Sequence, residues 1–260
     1  KQLEFVNRVI ARMGYDFTRG RQDMSAHPFT TSFGLNDVRI TTKVFRKLPV
    51  SCLLSSVHEC GHALHELGID KALNRTPLGE GASFGFHESQ SRLWENLVAR
   101  SHDFWVFFYP EFRKAFPEHL ANVSLEEFYR AVNKVEPSFI RTEADEATYN
   151  LHIMLRYEME KDMLNGVIEV GDIPEAWNRK SQDYLGITPE NDAQGVLQDI
   201  HWSMGEFGYF PTYALGNLIA AQIWARAEQE LPSLGESIRK GDLSSLLGFL
   251  RRDLHVYGAK

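Results

Sequence analysis

The sequence is poor in cysteine, with only Cys52 and Cys60 among 260 residues. Two cysteines make no disulfide framework. On a helix over Ser51–Leu67 they would stand about 12 Å apart along the axis, too far to bridge. This usage fits a reducing compartment, and a cytoplasmic location is the expectation. No apolar run approaches the ~18 residues of a membrane span, and Lys1-Gln2-Leu3-Glu4-Phe5 has no apolar signal region. Positive charge is also scarce: 28 basic against 35 acidic residues leave a net charge of −7, which argues against a nucleic-acid-binding surface. Repeats and low-complexity stretches are absent. Gly79, Gly81 and Gly85 in the segment Thr76–Phe86 do not form a GxGxxG fingerprint, because the third glycine is misplaced and no strand precedes it. That segment reads as a surface loop or, more sharply, as a mobile flap beside a site. The chain begins with Lys1 rather than Met and stops at Tyr257-Gly258-Ala259-Lys260 directly after a helical pattern, as a segment cut from a longer protein would.

What is present is ordinary for a globular protein: 43% hydrophobic and 24% charged residues. A chain of this size buries about 70–75% of its unfolded surface, enough for a sizeable core. Residues 1–260 are expected to form a single domain. Lys1–Met13 has one apolar face, made by Leu3, Val6, Val9, Ile10 and Met13, and reads as an amphipathic helix. His27–Phe33 and Val38–Val44, joined by Gly34-Leu35-Asn36-Asp37, read as a β-hairpin. The remainder is helical in pattern, with helices expected over Ser51–Leu67, His87–Tyr109, Leu125–Val132, Arg141–Asn165, Pro174–Leu185, Asn191–Ser203, Tyr213–Leu231 and Leu243–Val256. Pro110, Pro117, Pro137, Pro174, Pro189 and Pro211 fall between these segments or at a first residue.

The chemistry sits in Val57-His58-Glu59-Cys60-Gly61-His62-Ala63-Leu64. Two histidines four apart share a helix face and can aim ring nitrogens at one Zn²⁺. The glutamate after the first can reach a water activated by that metal and act as general base. At this composition the pattern arises by chance roughly 0.03 times in a chain of this length. The plain structural alternative is an exposed helix with incidental histidines. His65 reads as a surface residue one turn on. A catalytic zinc usually has a third protein ligand, and no third histidine follows at the metzincin spacing. His87-Glu88-Ser89-Gln90 offers either an imidazole or a carboxylate, and Glu88 is preferred because two histidines with one glutamate is a common hydrolytic set. Glu88 alone could also be a carboxylate at a helix start.

Five segments occur in order: Asp37-Val38-Arg39-Ile40-Thr41, His58–His62, His87–Gln90, Ile140-Arg141-Thr142-Glu143-Ala144-Asp145 and Gly195-Val196-Leu197-Gln198-Asp199-Ile200-His201-Trp202. Together they resemble the carboxypeptidase Taq family of metallocarboxypeptidases, whose signatures are DxRxT, HExxH, HES/GQ, IRxxAD and GxxQDxHW. The resemblance implies a mainly α, helical zincin (gluzincin-like) peptidase with a short antiparallel β-hairpin at the edge of a long substrate groove. It implies removal of single residues from peptide C-termini. His58, His62 and Glu88 would be the metal ligands and Glu59 the base. Zn²⁺ is the expected metal, with Co²⁺ or another divalent ion as substitute. Peptide is the expected partner, with no nucleic acid or membrane, and a homodimer follows from the resemblance alone. Family members are considerably longer, with an N-terminal helical half that this chain lacks.

Around the metal, a transition state needs donors aimed at the developing oxyanion. By analogy with the related thimet-type oligopeptidases, His201 and Tyr213 are the candidates, with Tyr209 in reserve; for either tyrosine, buried packing is the plainer reading. Arg141 and Asp145 could form an i,i+4 helix pair. The family instead assigns this arginine to the substrate's terminal carboxylate, which a guanidinium fork matches. Asp145 and Asp199 read as orienting residues. Asp37 and Arg39 either tie the edge strand down or meet substrate backbone. Two other functions stay open: a zinc endo-oligopeptidase or dipeptidase on the same scaffold, and a metal-binding but inactive peptide-binding module. A retained Glu59 argues against the latter, since holding zinc requires no base.

Overall fold

The computed structural model describes residues 1–260 and is mainly α with one small sheet. It divides into two compact units, Lys1–Val132 with Gly216–Lys260, and Asn133–Leu215.

The first unit opens with α1, Gln2–Met13, which buries Phe5, Val6, Val9, Ile10 and Met13 along the expected face. Strands β1 (Gln22–Met24), β2 (Thr30–Ser32) and β3 (Val38–Thr42) follow. The expected hairpin forms as antiparallel β2–β3, with Thr30 opposite Ile40 and Ser32 opposite Val38. β1 was not expected; it pairs parallel on the other side of β3, so the order is β1–β3–β2 and β2 is an edge. Alternation turns Val38, Ile40 and Thr42 inward. They meet α2, Pro49–Gly68, which begins at a proline and buries Leu53, Val57, Cys60 and Leu64. Ser56 Oγ donates to Thr42 Oγ1 at 2.7 Å, fastening strand to helix. Both cysteines are buried and free.

The helix expected over His87–Tyr109 is two. α3, Phe84–Arg92, runs into a π-helical turn, Leu93–Val98. α4, His102–Ala115, then starts afresh because Ser101 Oγ accepts from Phe104 N at 3.1 Å. Pro110 lies inside α4 rather than after it; the lost backbone hydrogen bond is tolerated because Trp105, Phe108, Tyr109 and Phe112 are buried. α5 (Pro117–Leu120) and α6 (Leu125–Val132) complete this stretch.

In the second unit the predicted Arg141–Asn165 helix starts late. Asp145 caps α7, Glu146–Leu164, by accepting from Ala147 N and Thr148 N, so Arg141 stands in a preceding 3₁₀ turn, Arg141–Glu143, and the i,i+4 geometry is never built. α8, Ile173–Leu185, packs with it around Leu155, Met159, Ala176 and Trp177. Asn191–Ser203 is not the expected helix but a series of turns whose side chains reach several different partners. α9, Pro211–Glu230, carries the chain back into the first unit, followed by α10 (Leu234–Arg239), unexpected from the sequence, and α11 (Ser244–Asp253).

Candidate metal centre

α2 and α3 cross unusually closely at Gly61, where a Cβ would lie 2.7 Å from Gln90 O and from Ser91 Cα. Only a glycine permits that approach, and it sets Glu88 against the two histidines one turn apart. One donor atom from each of His58, His62 and Glu88 lies within 4.8 Å of the others. Glu88 Oε2 is 3.3 Å from His62 Nε2 and 3.6 Å from His58 Nε2. Tetrahedral zinc ligands at about 2.0–2.1 Å lie roughly 3.3–3.4 Å apart, so the trio has the spacing and donor chemistry of a metal site.

Each member is held from behind. His58 Nδ1 lies 2.8 Å from Glu95 Oε2 on the π-helical turn. Arg92 Nε donates to Glu88 Oε1 at 2.8 Å, and its Nη1 to Glu95 Oε2 at 3.1 Å. Burial opposes charge on Glu88, but His58, Arg92 and His62 outweigh it and hold the carboxyl well below its ordinary range, as an anion. Burial likewise opposes the His58 imidazolium, and Glu88 and Glu95 overrule it to raise the metal-free group to about 9. Burial lowers His62. Glu59 is buried, and its Oε2 accepts from Thr30 Oγ1 at 2.6 Å.

Of the other imidazoles, His65 departs from expectation and His87 gives way to Glu88 as preferred. His65 is not at the surface but fully buried, among the rings of Phe86, His87 and His255, because this side of α2 packs inward. His87 is turned from the trio: Nδ1 meets His62 Nδ1 and Nε2 meets Glu66. Arg39 lies on the exposed face of β3, in a two-point pair with Asp37 at 2.7 and 2.8 Å and 4.9 Å from the Phe33 ring centroid.

Within the second unit, Arg141, Tyr209, Tyr213 and His201 come together. His201 Nε2 lies 2.9 Å from Tyr213 OH, and the Arg141 guanidinium carbon is 4.6 Å from the Tyr213 ring centroid. His201 and Tyr209 rings are 5.3 Å apart. Arg141 is buried, with Nη2 and Nε on Asp199 Oδ1 at 2.7 and 3.1 Å and Nη1 donating to Tyr149 OH at 2.9 Å. Arg156 Nε shares the same carboxylate at 2.7 Å. Burial alone would raise Asp199; Arg141 and Arg156 instead bring it down to about 2. Burial lowers the His201 imidazolium.

Residues 1–260 match the profile of the Carboxypeptidase Taq (M32) metallopeptidases from end to end. The chain belongs to that family. It is 45% identical over 260 residues to Carboxypeptidase 1 of Bacillus subtilis, covering 100% of this chain and 52% of that one. It is 47% identical over 259 residues to Thermostable carboxypeptidase 1 of Thermus thermophilus, covering 100% and 51%. Among solved structures, the carboxypeptidase of Deinococcus radiodurans R1 superposes with a TM-score of 0.96 at 50% identity, covering 99% of this chain and 52% of that one. Trypanosoma cruzi metallocarboxypeptidase 1 does so at 0.93 and 39%, covering 99% and 54%. The chain thus spans about half the length of the relatives it matches.

In this carboxypeptidase Taq family member, residues that carried no assignment in the sequence contact the groups described above. Glu66 follows His62 by four, and Arg92 and Glu95 follow Glu88 by four and seven, so helical periodicity could have found them. Thr30, Tyr149 and Arg156 carried no such signal. Each polar member of the GxxQDxHW motif has its own partner: Gln198 Oε1 accepts from Arg141 N, Asp199 binds both arginines, His201 meets Tyr213, and Trp202 Nε1 donates to buried Glu160.

Proposed function

We propose that the chain is the catalytic portion of a cytosolic zinc carboxypeptidase that releases single C-terminal residues from peptides, with residues 1–260 acting as one catalytic domain. The observation that carries this reading is the spacing of His58, His62 and an ionised Glu88, with Glu59 held beside them. His58 and His62 through Nε2, and Glu88 through Oε2, would hold the metal. Two imidazoles and a carboxylate suit Zn²⁺ and accept Co²⁺. When bound, the cation supplies Lewis-acid polarisation of the substrate carbonyl and acidifies water.

The chain's own residues do the rest. Glu59 accepts the proton of the attacking water through its carboxylate and returns it to the leaving amine. His201 and Tyr213 donate to the oxyanion, pre-aligned by their mutual hydrogen bond. β2 is an edge strand, so its free backbone groups can add a peptide as a further strand, with Arg39 and Tyr209 as further substrate contacts. Arg141 reads the chain-end carboxylate with the guanidinium protons that Asp199 and Tyr149 leave free. By family resemblance the assembly is a homodimer.

One observation favours the endo-oligopeptidase reading: the Arg141 fork is already engaged by Asp199. Metal analysis with hydrolysis of an N-blocked dipeptide, set against its C-terminally amidated twin, separates the two. A carboxypeptidase cleaves only the free acid, and Arg141→Lys weakens it far more than a surface Arg→Lys change does. Equal cleavage of both peptides selects the oligopeptidase.

A further inference from the structure

Gly216 has no part in the roles above. It stands inside α9, on the buried face that also carries Ala220, Ile223 and Ala227. Glycine in a helix interior costs stability relative to alanine, because it has more backbone freedom to lose. A left-handed backbone is the usual reason to accept that cost, but Gly216 does not have a positive φ. The reason here is space.

A Cβ at Gly216 would lie 2.6 Å from Glu88 Cγ, 2.9 Å from Glu88 Cβ and 3.3 Å from the Glu88 carbonyl carbon. Carbon atoms in contact stand about 3.5–4.0 Å apart, so no side chain fits. The three atoms belong to the backbone and root of Glu88, not to a tip that could swing aside. Its far end is held as well: Arg92 Nε donates to Oε1 at 2.8 Å, and Ser91 Oγ to Oε2 at 3.2 Å. Oε2 is also the oxygen 3.3 Å from His62 Nε2 and 3.6 Å from His58 Nε2. One oxygen thus stays on Arg92 and the other faces the histidines.

The segment Glu88–Ser91 of α3 therefore meets bare backbone from two helices, Gly61 of α2 against Gln90 and Ser91, and Gly216 of α9 against Glu88. A methyl group at Gly216 leaves two ways out. Either α9 withdraws from α3, or Glu88 turns and gives up the division between its two oxygens.

We infer that Gly216 is a positioning residue of the metal centre, whose bare backbone sets the Glu88 side chain so that Oε2, and not Oε1, faces His58 and His62. The inference rests on the metal site proposed above. Its test measures zinc affinity of the chain by competition with a chromophoric chelator, coordination by the visible spectrum of the Co²⁺-loaded protein, and stability by thermal melting. Gly216→Ala weakens zinc binding about 10–100-fold, the usual scale for losing a group that orients a metal ligand, and changes the Co²⁺ spectrum. Gly248→Ala is the control, since Gly248 lies inside α11 where a Cβ meets nothing within 4 Å. That variant binds zinc as the wild type does and melts higher, alanine being the better helix former, whereas Gly216→Ala melts lower. In a Glu88→Ala background Cγ is gone, and the fall in Tm caused by Gly216→Ala shrinks. The double variant gives the answer if Gly216→Ala alone does not fold, because removing the Glu88 side chain then restores folding. Wild-type zinc affinity and an unchanged Co²⁺ spectrum in folded Gly216→Ala overturn the inference and leave the metal site standing. So does a fall in Tm of the same size with and without the Glu88 side chain, or a double variant that also fails to fold. A wild-type chain that takes up no zinc overturns the metal site instead, while the melting comparisons still test Gly216 against Glu88.

Discussion

Thr30 Oγ1 lies 2.6 Å from Glu59 Oε2 and 3.0 Å from the Glu59 carbonyl oxygen. A hydroxyl on the edge strand thereby fixes a carboxylate in the middle of α2. The strand is itself anchored by Thr41, the last residue of the DxRxT motif, whose Oγ1 accepts from Phe29 N at 2.9 Å and from Ser25 Oγ at 2.7 Å. Strand register and the orientation of the proposed base are one arrangement.

Thr30→Val therefore removes a hydrogen bond to a charged group, worth about 1.5–3 kcal/mol. We expect kcat to fall on the order of 10-fold with KM little changed, and Thr30→Ser to restore it. Steady-state kinetics of the two variants checks this; a Val variant as fast as wild type assigns Thr30 to packing alone.

Glu59→Gln is expected to abolish turnover while zinc content stays near one per chain, because an amide cannot take up the water's proton. His58→Ala loses both metal and activity. Metal analysis alongside the assay is the check, and turnover in metal-replete Glu59→Gln protein removes the general-base role.

His201→Ala and Tyr213→Phe should each lower kcat roughly 10²–10³-fold, the scale of losing one oxyanion donor. Their mutual hydrogen bond makes the effects less than additive. Kinetics of both single variants and the double variant tests this, and additive losses would mean the two act separately.

Asp199 links pH to stability. Its carboxyl is depressed to about 2 by Arg141 and Arg156, below the ordinary carboxylate range near 3.9 of the unfolded chain. A depressed acid stabilises fully above the unfolded value and loses that contribution as pH falls through the folded one. The contribution is on the order of 2 kcal/mol, present at neutral pH and fading between about pH 4 and pH 2. Asp199→Asn leaves two buried guanidinium groups without their anion and should cost about 3–5 kcal/mol near pH 7. Denaturant titrations of both proteins should show this gap closing towards pH 2; a gap independent of pH would mean that packing, not charge, is lost.

Local periodicity carried much of the fold. α1, α2, α6, α8 and α9 lie within a few residues of their expected ranges, since an apolar stripe and its breakers are local facts. Where expectation failed, a competing local contact won. Ser101 and Asp145 capped helices that the apolar pattern alone would have run through, and the Asn191–Ser203 segment gave up helical bonding while its side chains reached Arg141, Arg156, Tyr213 and Glu160.

For the site, the sequence alone determined His58, Glu59 and His62, because spacing on a helix fixes which side chains share a face. It narrowed the third donor to His87 or Glu88, and only the close crossing of α2 and α3 at Gly61 placed Glu88 against His58 and His62 while turning His87 to His62 Nδ1. Whether Arg141 is a free fork, whether His65 is exposed and what faces Glu59 were likewise decided by tertiary structure. Their partners lie far along the chain, in Asp199, His255 and Thr30, and no periodicity connects residues that only folding makes neighbours.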